Sequence, residues 1–186
     1  MPTHQLEGIV GSYAPRLRKL AKGIDDRPVV VGESSKSIGA ETTFAEDIAD
    51  DKRLREALDS LAVRVAKRLR KEGYRAHAIH LKARYADFTT VTRATTIPIA
   101  TASTQTLVQT ARELLETRLG REGRALRLVG VSASGLVRPA EGEPELFPDT
   151  QREQSERVDH LLDTLQEKFG SGKIWRGYQK RTEDDA

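Results

Sequence analysis

The sequence contains no cysteine, and only 5% of its residues are aromatic. Without cysteine, disulfides and thiolate metal sites are excluded, which fits a reducing cytoplasm. No stretch approaches the roughly 20 apolar residues that a membrane-spanning helix needs, and the first residues lack the charged and apolar regions of a secretory signal. These absences predict a cytoplasmic protein that makes no membrane contact.

Residues with the spacing of a catalytic centre are also missing. The adjacent acidic pairs are Asp25-Asp26, Glu46-Asp47, Asp50-Asp51 and Asp184-Asp185. They fall in a predicted turn, at a helix entrance where carboxylates favour the dipole, and in the tail. His77 and His80 are three apart on a predicted strand and therefore project from opposite faces. With no glycine-rich phosphate loop or nucleophile elbow, we predict no catalytic residue, metal, other cofactor or small-molecule substrate in this chain.

The net charge of +3 conceals an uneven distribution along the chain. Residues 1–138 carry 24 Lys/Arg and 16 Asp/Glu, whereas residues 139–186 carry 7 and 12. This asymmetry indicates a basic body that a polyanion attracts and an acidic tail that it does not. Many globular domains carry such a charge without binding nucleic acid, so the charge alone does not decide the function.

Hydrophobic periodicity predicts the order β-α-β-β-α-β between residues 35 and 138. The predicted elements are a strand over 35–44, a helix from Asp47 or Asp50 to about Glu72, strands over 75–85 and up to about 97–98, a helix from Ser103 or Thr104 to near Gly120, and a strand over 126–134. Right-handed crossovers place both helices on one face of the sheet. The fold class is therefore α+β, a two-layer domain with a four-stranded antiparallel sheet whose other face is open to solvent.

Helical segments are predicted on both sides of this domain. Residues 3–23 form a short helical segment, and 139–144 read as a linker by composition. An amphipathic helix follows over 151–169, with apolar positions Val158, Leu161, Leu162, Leu165 and Phe169. We therefore divide the chain into a helical segment (1–26), a linker (27–34), the two-layer domain (35–138) and an acidic tail (139–186).

The open face of the sheet is the candidate binding surface. Its predicted side chains are Lys82 and Arg84 on one strand, Arg93 and Thr95 on the next, and Ser37 and Thr43 on the first. Cations and hydroxyls of this kind bind phosphates and do not read bases. A sheet that binds unpaired RNA needs stacking aromatics on its middle strands, and only Tyr85 and Phe88 are near, Tyr85 with core parity. The pattern favours duplex backbone, and a merely solvated charged sheet is the alternative.

Several segments resemble the DNA polymerase IV type of Y-family translesion polymerases. Residues 11–14 and 20–29 are similar to the end of the family's thumb, 33–44 to the linker and first strand of its little finger domain, 79–90 and 126–132 to later strands, and 169–177 to the ends of bacterial members. The Lys-Ser-Ile-Gly strand and the Lys-x-Arg-Tyr-x-Asp-Phe hairpin are the most specific matches. The resemblance covers about residues 5–177, and the family's palm and fingers have no counterpart in it.

The resemblance implies a little finger in the major groove of primer-template DNA, in an enzyme of DNA repair and damage tolerance. The implied backbone contacts are Lys36, Ser37, Gly39, Thr43, Lys82, Arg84, Arg93, Thr95, Arg127 and Ser132, with Gly8, Gly11 and Arg16 in the thumb. Simple alternation places Arg127 on the core side, unless a bulge redirects it. The parent enzyme is implied to be a DNA-directed DNA polymerase, a nucleotidyltransferase that uses Mg²⁺, while this chain alone is expected to be inactive.

Bacterial members of the family also bind the sliding clamp through a short peptide. Leu146-Phe147 keeps the final Leu-Phe of that peptide, although Glu143 stands where the peptide has Gln. The two side chains could equally cap the domain's own core. The alternative function is therefore a protein-interaction module that docks the clamp or another replication partner through Leu146-Phe147 and the tail helix.

Overall fold

The computed structural model describes residues 3–28, 35–138, 150–170 and 174. The chain divides into two compact units, residues 1–34 and 35–186. The first unit contains helix α1 (Thr3–Val10), a short 3₁₀ turn (Gly11–Tyr13) and helix α2 (Ala14–Ala21). Gly11 has a φ of +61°, a conformation that glycine adopts without a steric cost. This glycine therefore separates two short helices where one segment was predicted.

The second unit is built on one antiparallel sheet. Its strands are β1 (Ser37–Ile48), β2 (Arg75–Tyr85), β3 (Thr90–Thr101) and β4 (Leu126–Val137). They lie in the order β1-β4-β2-β3, so β4 enters between the first strand and the β2–β3 hairpin. Both β1 and β3 are edge strands. This arrangement is the α+β fold class expected from the sequence.

Two helices cover one face of this sheet. Helix α3 (Asp51–Lys71) contacts β1, β4 and β2, and helix α4 (Thr104–Glu113), extended by a π-helical turn (Leu114–Arg118), packs beside it. Asp50 caps α3 by accepting from the Arg53 backbone N–H at 2.7 Å, and Ser103 caps α4 through the Thr106 N–H at 3.4 Å. Each cap is one of the two predicted for its helix.

The core lies between the helices and the sheet. Its largest fully buried side chains are Ile38, Leu54, Leu58, Val65, Leu69, Ile79, Leu81, Leu107, Leu114, Leu126, Val129 and Val131. Burying each side chain of this kind stabilises the fold by roughly 1.5–3 kcal/mol. Since β2 alternates strictly between buried and half-exposed residues from Ile79 to Tyr85, its other side chains project from the uncovered face.

Helix α5 (Thr150–Phe169) attaches to the helical layer through polar residues. Asp159, whose side chain is 2% exposed, accepts from the Thr104 backbone N–H at 2.8 Å and lies 3.5 Å from Arg70. Arg70 also donates to Asp163 at 2.6 Å, and Arg75 donates to Glu156 at 2.6 Å. A buried ion-pair network therefore holds this helix.

The apolar stripe predicted for α5 is only partly covered. Leu162 and Leu165 are half-buried, whereas Val158, Leu161 and Phe169 are exposed. The amphipathic spacing correctly predicted a helix, but it did not identify the face of that helix that packs, because the partners of α5 are arginines on other elements. Among the described residues, no helix has both the length and the apolarity to cross a bilayer.

Candidate nucleic-acid interface

The uncovered face of the sheet consists of four rows of side chains that run across the strands. The rows, read from β1 through β4 and β2 to β3, are Ser37–Ser134–Ala78–Thr96, Gly39–Ser132–His80–Ala94, Glu41–Gly130–Lys82–Thr92 and Thr43–Leu128–Arg84–Thr90. We call these sixteen residues the open face. Apart from His80, which is hydrogen-bonded to the Ser134 hydroxyl, the first two rows carry small and hydroxyl side chains. The other two carry the cations, together with Leu128, which is only 5% exposed. A phosphate backbone could approach the first half closely and pair with the second.

Glycine permits the close approach of strands in the second and third rows. A Cβ added at Gly39 would lie 2.9 Å from the Ser132 Cβ, and one added at Gly130 would lie 2.9 Å from the Glu41 Cβ. Because Gly130 has no side chain, Lys82 on β2 reaches across β4 and donates to Glu41 on β1 at 2.8 Å. The open face therefore carries a carboxylate beside its central lysine. The sequence pattern alone did not indicate that Glu41 pairs with Lys82.

Arg84 and Lys36 differ from Lys82 in their surroundings. Arg84 donates to the Thr90 hydroxyl at 2.9 Å, and within the described residues it forms no ion pair. Lys36 is exposed directly before β1. Within the described residues, neither cation has a carboxylate partner to leave before it binds an anion.

Arg93 and Thr95 were wrongly placed on the open face. Arg93 pairs with buried Leu81, and Thr95 pairs with buried Ile79, so both belong to the side that the helices cover. Arg93 donates to the Arg118 carbonyl at 2.7 Å, in the turn after α4. The sequence TVTRATTI is polar at both parities, which hides the alternation. Its apolar Val91 and Ile97 have the parity of Arg93 and would have given the correct side.

Arg127 lies at a β-bulge, the irregularity that can redirect its side chain away from the core. Arg84 pairs with Leu128 and the next residue, Tyr85, pairs with Leu126, so Arg127 is the extra residue of β4. Its guanidinium lies 4.8 Å from the centre of the Phe88 ring and 3.7 Å from Asp47. The bulge therefore removes Arg127 from the core side and leaves its side chain 42% exposed.

The β2–β3 turn beside Arg127 is held by its own polar groups. The Thr89 backbone N–H donates to Asp87 at 2.9 Å, and this bond is the main reason that the pKa of Asp87 lies below its usual value. Arg124 lies 3.1 Å from Asp87 and 3.9 Å from the centre of the Tyr85 ring. Tyr85 is 4% exposed, in agreement with its predicted core parity.

The predicted contacts of the first unit are all exposed. Gly8 and Gly11 are both open, because a Cβ added at either residue would meet no neighbouring atom. Arg16 on α2 places its guanidinium 5.4 Å from the centre of the Tyr13 ring. The described part of this unit thus presents these glycines and Arg16 to solvent, together with the exposed cations Arg18, Lys19, Lys22 and Arg27.

Leu146 and Phe147 lie outside the described residues. In the described part of the chain, no group of three His, Asp or Glu side chains is arranged to hold a metal ion.

Comparison with known proteins assigns the family. Residues 35–146 match the model of the impB/mucB/samB family C-terminal domain. The DNA polymerase IV of Dehalococcoides mccartyi (strain ATCC BAA-2266) is 36% identical over 184 residues, which are 99% of this chain and 46% of that protein. The DNA polymerase IV of Halorhodospira halophila is 41% identical over 143 residues, covering 76% of this chain and 39% of that protein.

A solved structure shares the fold. A Y-family DNA polymerase chimera superposes with a TM-score of 0.51 at 24% identity, covering 74% of this chain and 39% of that one. The chain spans about half the length, or less, of the curated relatives it matches. The chain belongs to the impB/mucB/samB family, its two-layer unit is the C-terminal domain of that family, and it is similar over nearly its whole length to DNA polymerase IV proteins.

Proposed function

We propose that this chain holds duplex primer-template DNA by its backbone, without sequence preference, for a lesion-bypass DNA polymerase. The observation that supports this most directly is the open face, where two rows of small and hydroxyl residues adjoin the cations Lys82 and Arg84. Its surroundings add Lys36 and Arg127. Such a surface donates to phosphate oxygens and offers few groups that could read base edges.

The composition of the open face favours duplex over unpaired nucleic acid as the main ligand. Its sixteen positions include no Phe, Tyr or Trp, and the one imidazole, His80, is hydrogen-bonded to the Ser134 hydroxyl at 2.7 Å. Sheets that bind single strands stack bases on aromatics of the middle strands. Nucleotidyl transfer, Mg²⁺ and a role in repair belong, in this proposal, to the whole polymerase. Arg93 and Thr95 are not among the proposed phosphate contacts of this face. Gly8, Gly11 and Arg16 are proposed to contact DNA. A clamp contact through Leu146 and Phe147 stays a prediction.

Duplex binding should depend steeply on salt. If Lys36, Lys82, Arg84 and Arg127 each neutralise one phosphate, log Kd should change against log salt with a slope of roughly 3 to 4 in magnitude. Fluorescence anisotropy with blunt duplexes of equal length and different sequence measures both properties. Affinities within about threefold across sequences are expected. Salt-insensitive binding, or a strong preference for one sequence, would contradict the proposal.

Replacing Glu41 by glutamine should strengthen duplex binding. The carboxylate holds Lys82 at 2.8 Å and repels an approaching phosphate, and glutamine keeps the shape while removing the charge. We expect up to about tenfold tighter binding with a nearly unchanged salt slope, because Lys82 neutralises one phosphate in both proteins. Salt titrations of both proteins by anisotropy measure the change.

The control for this change is Glu113→Gln. Glu113 on α4 pairs with Arg118 at 3.8 Å, so the variant has the same net charge and loses a comparable ion pair in the helical layer. Its duplex affinity should stay near that of the unaltered chain. Equal strengthening by both variants would show that total charge, and not the Glu41–Lys82 pair, sets the affinity.

A further inference from the structure

The β2–β3 turn carries an exposed aromatic side chain in an unusual backbone conformation. Phe88 is 63% exposed, more than any other large hydrophobic side chain described between residues 35 and 138. Its φ is +64°, in the left-handed region that aromatic residues rarely occupy. Exposing this ring and straining its backbone both cost free energy. Such costs persist where the surrounding structure enforces them, and they are frequent at binding sites.

The hydrogen bonds of the turn enforce this conformation. The Phe88 N–H donates to the Tyr85 carbonyl at 3.0 Å, and the Tyr85 N–H donates to the Thr89 carbonyl at 2.9 Å. Asp87 accepts from the Thr89 N–H at 2.9 Å. The turn therefore presents the Phe88 ring in a fixed position and does not bury it in the core.

Two arginines lie beside this turn, and one of them is stacked on the ring. The Arg127 guanidinium lies 4.8 Å from its centre. Arg84 donates to the Thr90 hydroxyl, and this hydroxyl lies 3.5 Å from the Phe88 backbone carbonyl. The acidic groups nearby, Asp87 and Asp47, face Arg124 and Arg127. An aromatic ring bordered by arginines is the chemistry that stacks a nucleobase and pairs its phosphate.

We propose that Phe88 and Arg127 form a platform that stacks one unpaired nucleobase next to the duplex on the open face. The inference rests on the proposed duplex function, which supplies the neighbouring strand. Bases inside a duplex are already stacked, so only an unpaired base can use the exposed ring. An apolar protein partner is less suited to this ring, because docking there would bury the arginines that border it.

The test compares a blunt duplex with the same duplex carrying a short single-stranded extension on either strand. Using the full chain and fluorescence anisotropy, we expect one of the extended duplexes to bind about fivefold or more tightly than the blunt one. An extension with abasic sites keeps the phosphates and lacks the bases, so it should give no such gain. Equal affinity for blunt and extended duplexes, or an equal gain from the abasic extension, overturns the platform.

Variants of Phe88 separate stacking from folding. Phe88→Ala should lose the gain from the extension and keep its affinity for the blunt duplex, and Phe88→Trp should retain the gain. Phe88→Gly relieves the left-handed backbone and should still lose the gain. Circular dichroism and thermal unfolding verify that each variant folds. If Phe88→Ala keeps the gain, the ring does not stack a base and the platform is overturned.

The failure of each proposal gives a different result. If blunt duplex binding is absent while the extension binds in a Phe88-dependent way, duplex holding fails and the platform stands. If blunt binding is present and independent of Phe88 while the extension adds nothing, the platform fails and duplex holding stands.

Discussion

Replacing Asp159 by alanine is expected to release α5 while the sheet and the two helices on it stay folded. Asp159 is 2% exposed and accepts from the Thr104 N–H at the start of α4, in contact with Arg70, itself only 12% exposed. The change leaves the buried Thr104 N–H without its acceptor and costs about 1.5–3 kcal/mol, the contribution of a buried hydrogen bond to a charged group, while Arg70 keeps its pair with Asp163. Helix α5 leaves Val158, Leu161 and Phe169 exposed, so its apolar contacts offset little of that cost.

Hydrogen exchange measured by mass spectrometry tests this release. Amides of residues 150–169 should lose protection, and amides of β2 and β4 should keep it. Glu167→Ala is the matched control, since Glu167 is exposed on the same helix. Unchanged protection in Asp159→Ala would contradict the network as the anchor of α5, and loss of protection throughout 35–138 would contradict its separate release.

Neighbouring residues of β2 should have opposite effects when each is replaced by alanine. Leu81 is fully buried beside Val131, so Leu81→Ala should lower the free energy of unfolding by about 2–5 kcal/mol. Lys82 lies on the open face, where its ion pair with Glu41 is partly exposed and contributes at most about 1 kcal/mol. Lys82→Ala should therefore leave stability nearly unchanged, weaken duplex binding and lower the salt slope by about one.

Denaturant titration and anisotropy together measure this pair of effects. The unfolding midpoint should fall strongly for Leu81→Ala at an unchanged m-value. The affinity of Leu81→Ala for duplex, measured where the variant is still folded, should stay near that of the unaltered chain. If Lys82→Ala destabilised the fold as much as Leu81→Ala, the division of the sheet into a covered and an open face would be wrong.

The sequence predicted the elements well where a single local rule applied. The apolar periodicity of α3 and the capping residue Asp50 are local features, and in β1 and β2 the buried residues Ile38 and Leu81 stand at alternating positions. In β3, polar residues occupy both parities, so alternation carried little information. The pairing with β2, which fixes Arg93 beside Leu81, involves a partner strand that no local pattern contains.

The position of α5 is a second case in which local periodicity was insufficient. Its apolar spacing describes a helix with one apolar side, but the packed side depends on what the rest of the fold presents. Arg70 on α3 and Arg75 on β2 attract Asp163 and Glu156, and the Thr104 N–H at the start of α4 donates to Asp159. Those groups come together only after the two-layer domain has formed.

The sequence by itself determined the two-layer β-α-β-β-α-β unit, its basic body and the presence of an open, cationic sheet face. These features follow from periodicity, capping and charge, all of which are local properties of the chain. Only the tertiary structure decided which charges share that face. Cross-strand register places Glu41 beside Lys82, 41 residues later in the chain, over the gap that Gly130 leaves, and a one-residue bulge turns Arg127 toward Phe88. Register is set by the pairing of distant strands, so the composition of the interface depends on contacts that a linear pattern does not encode.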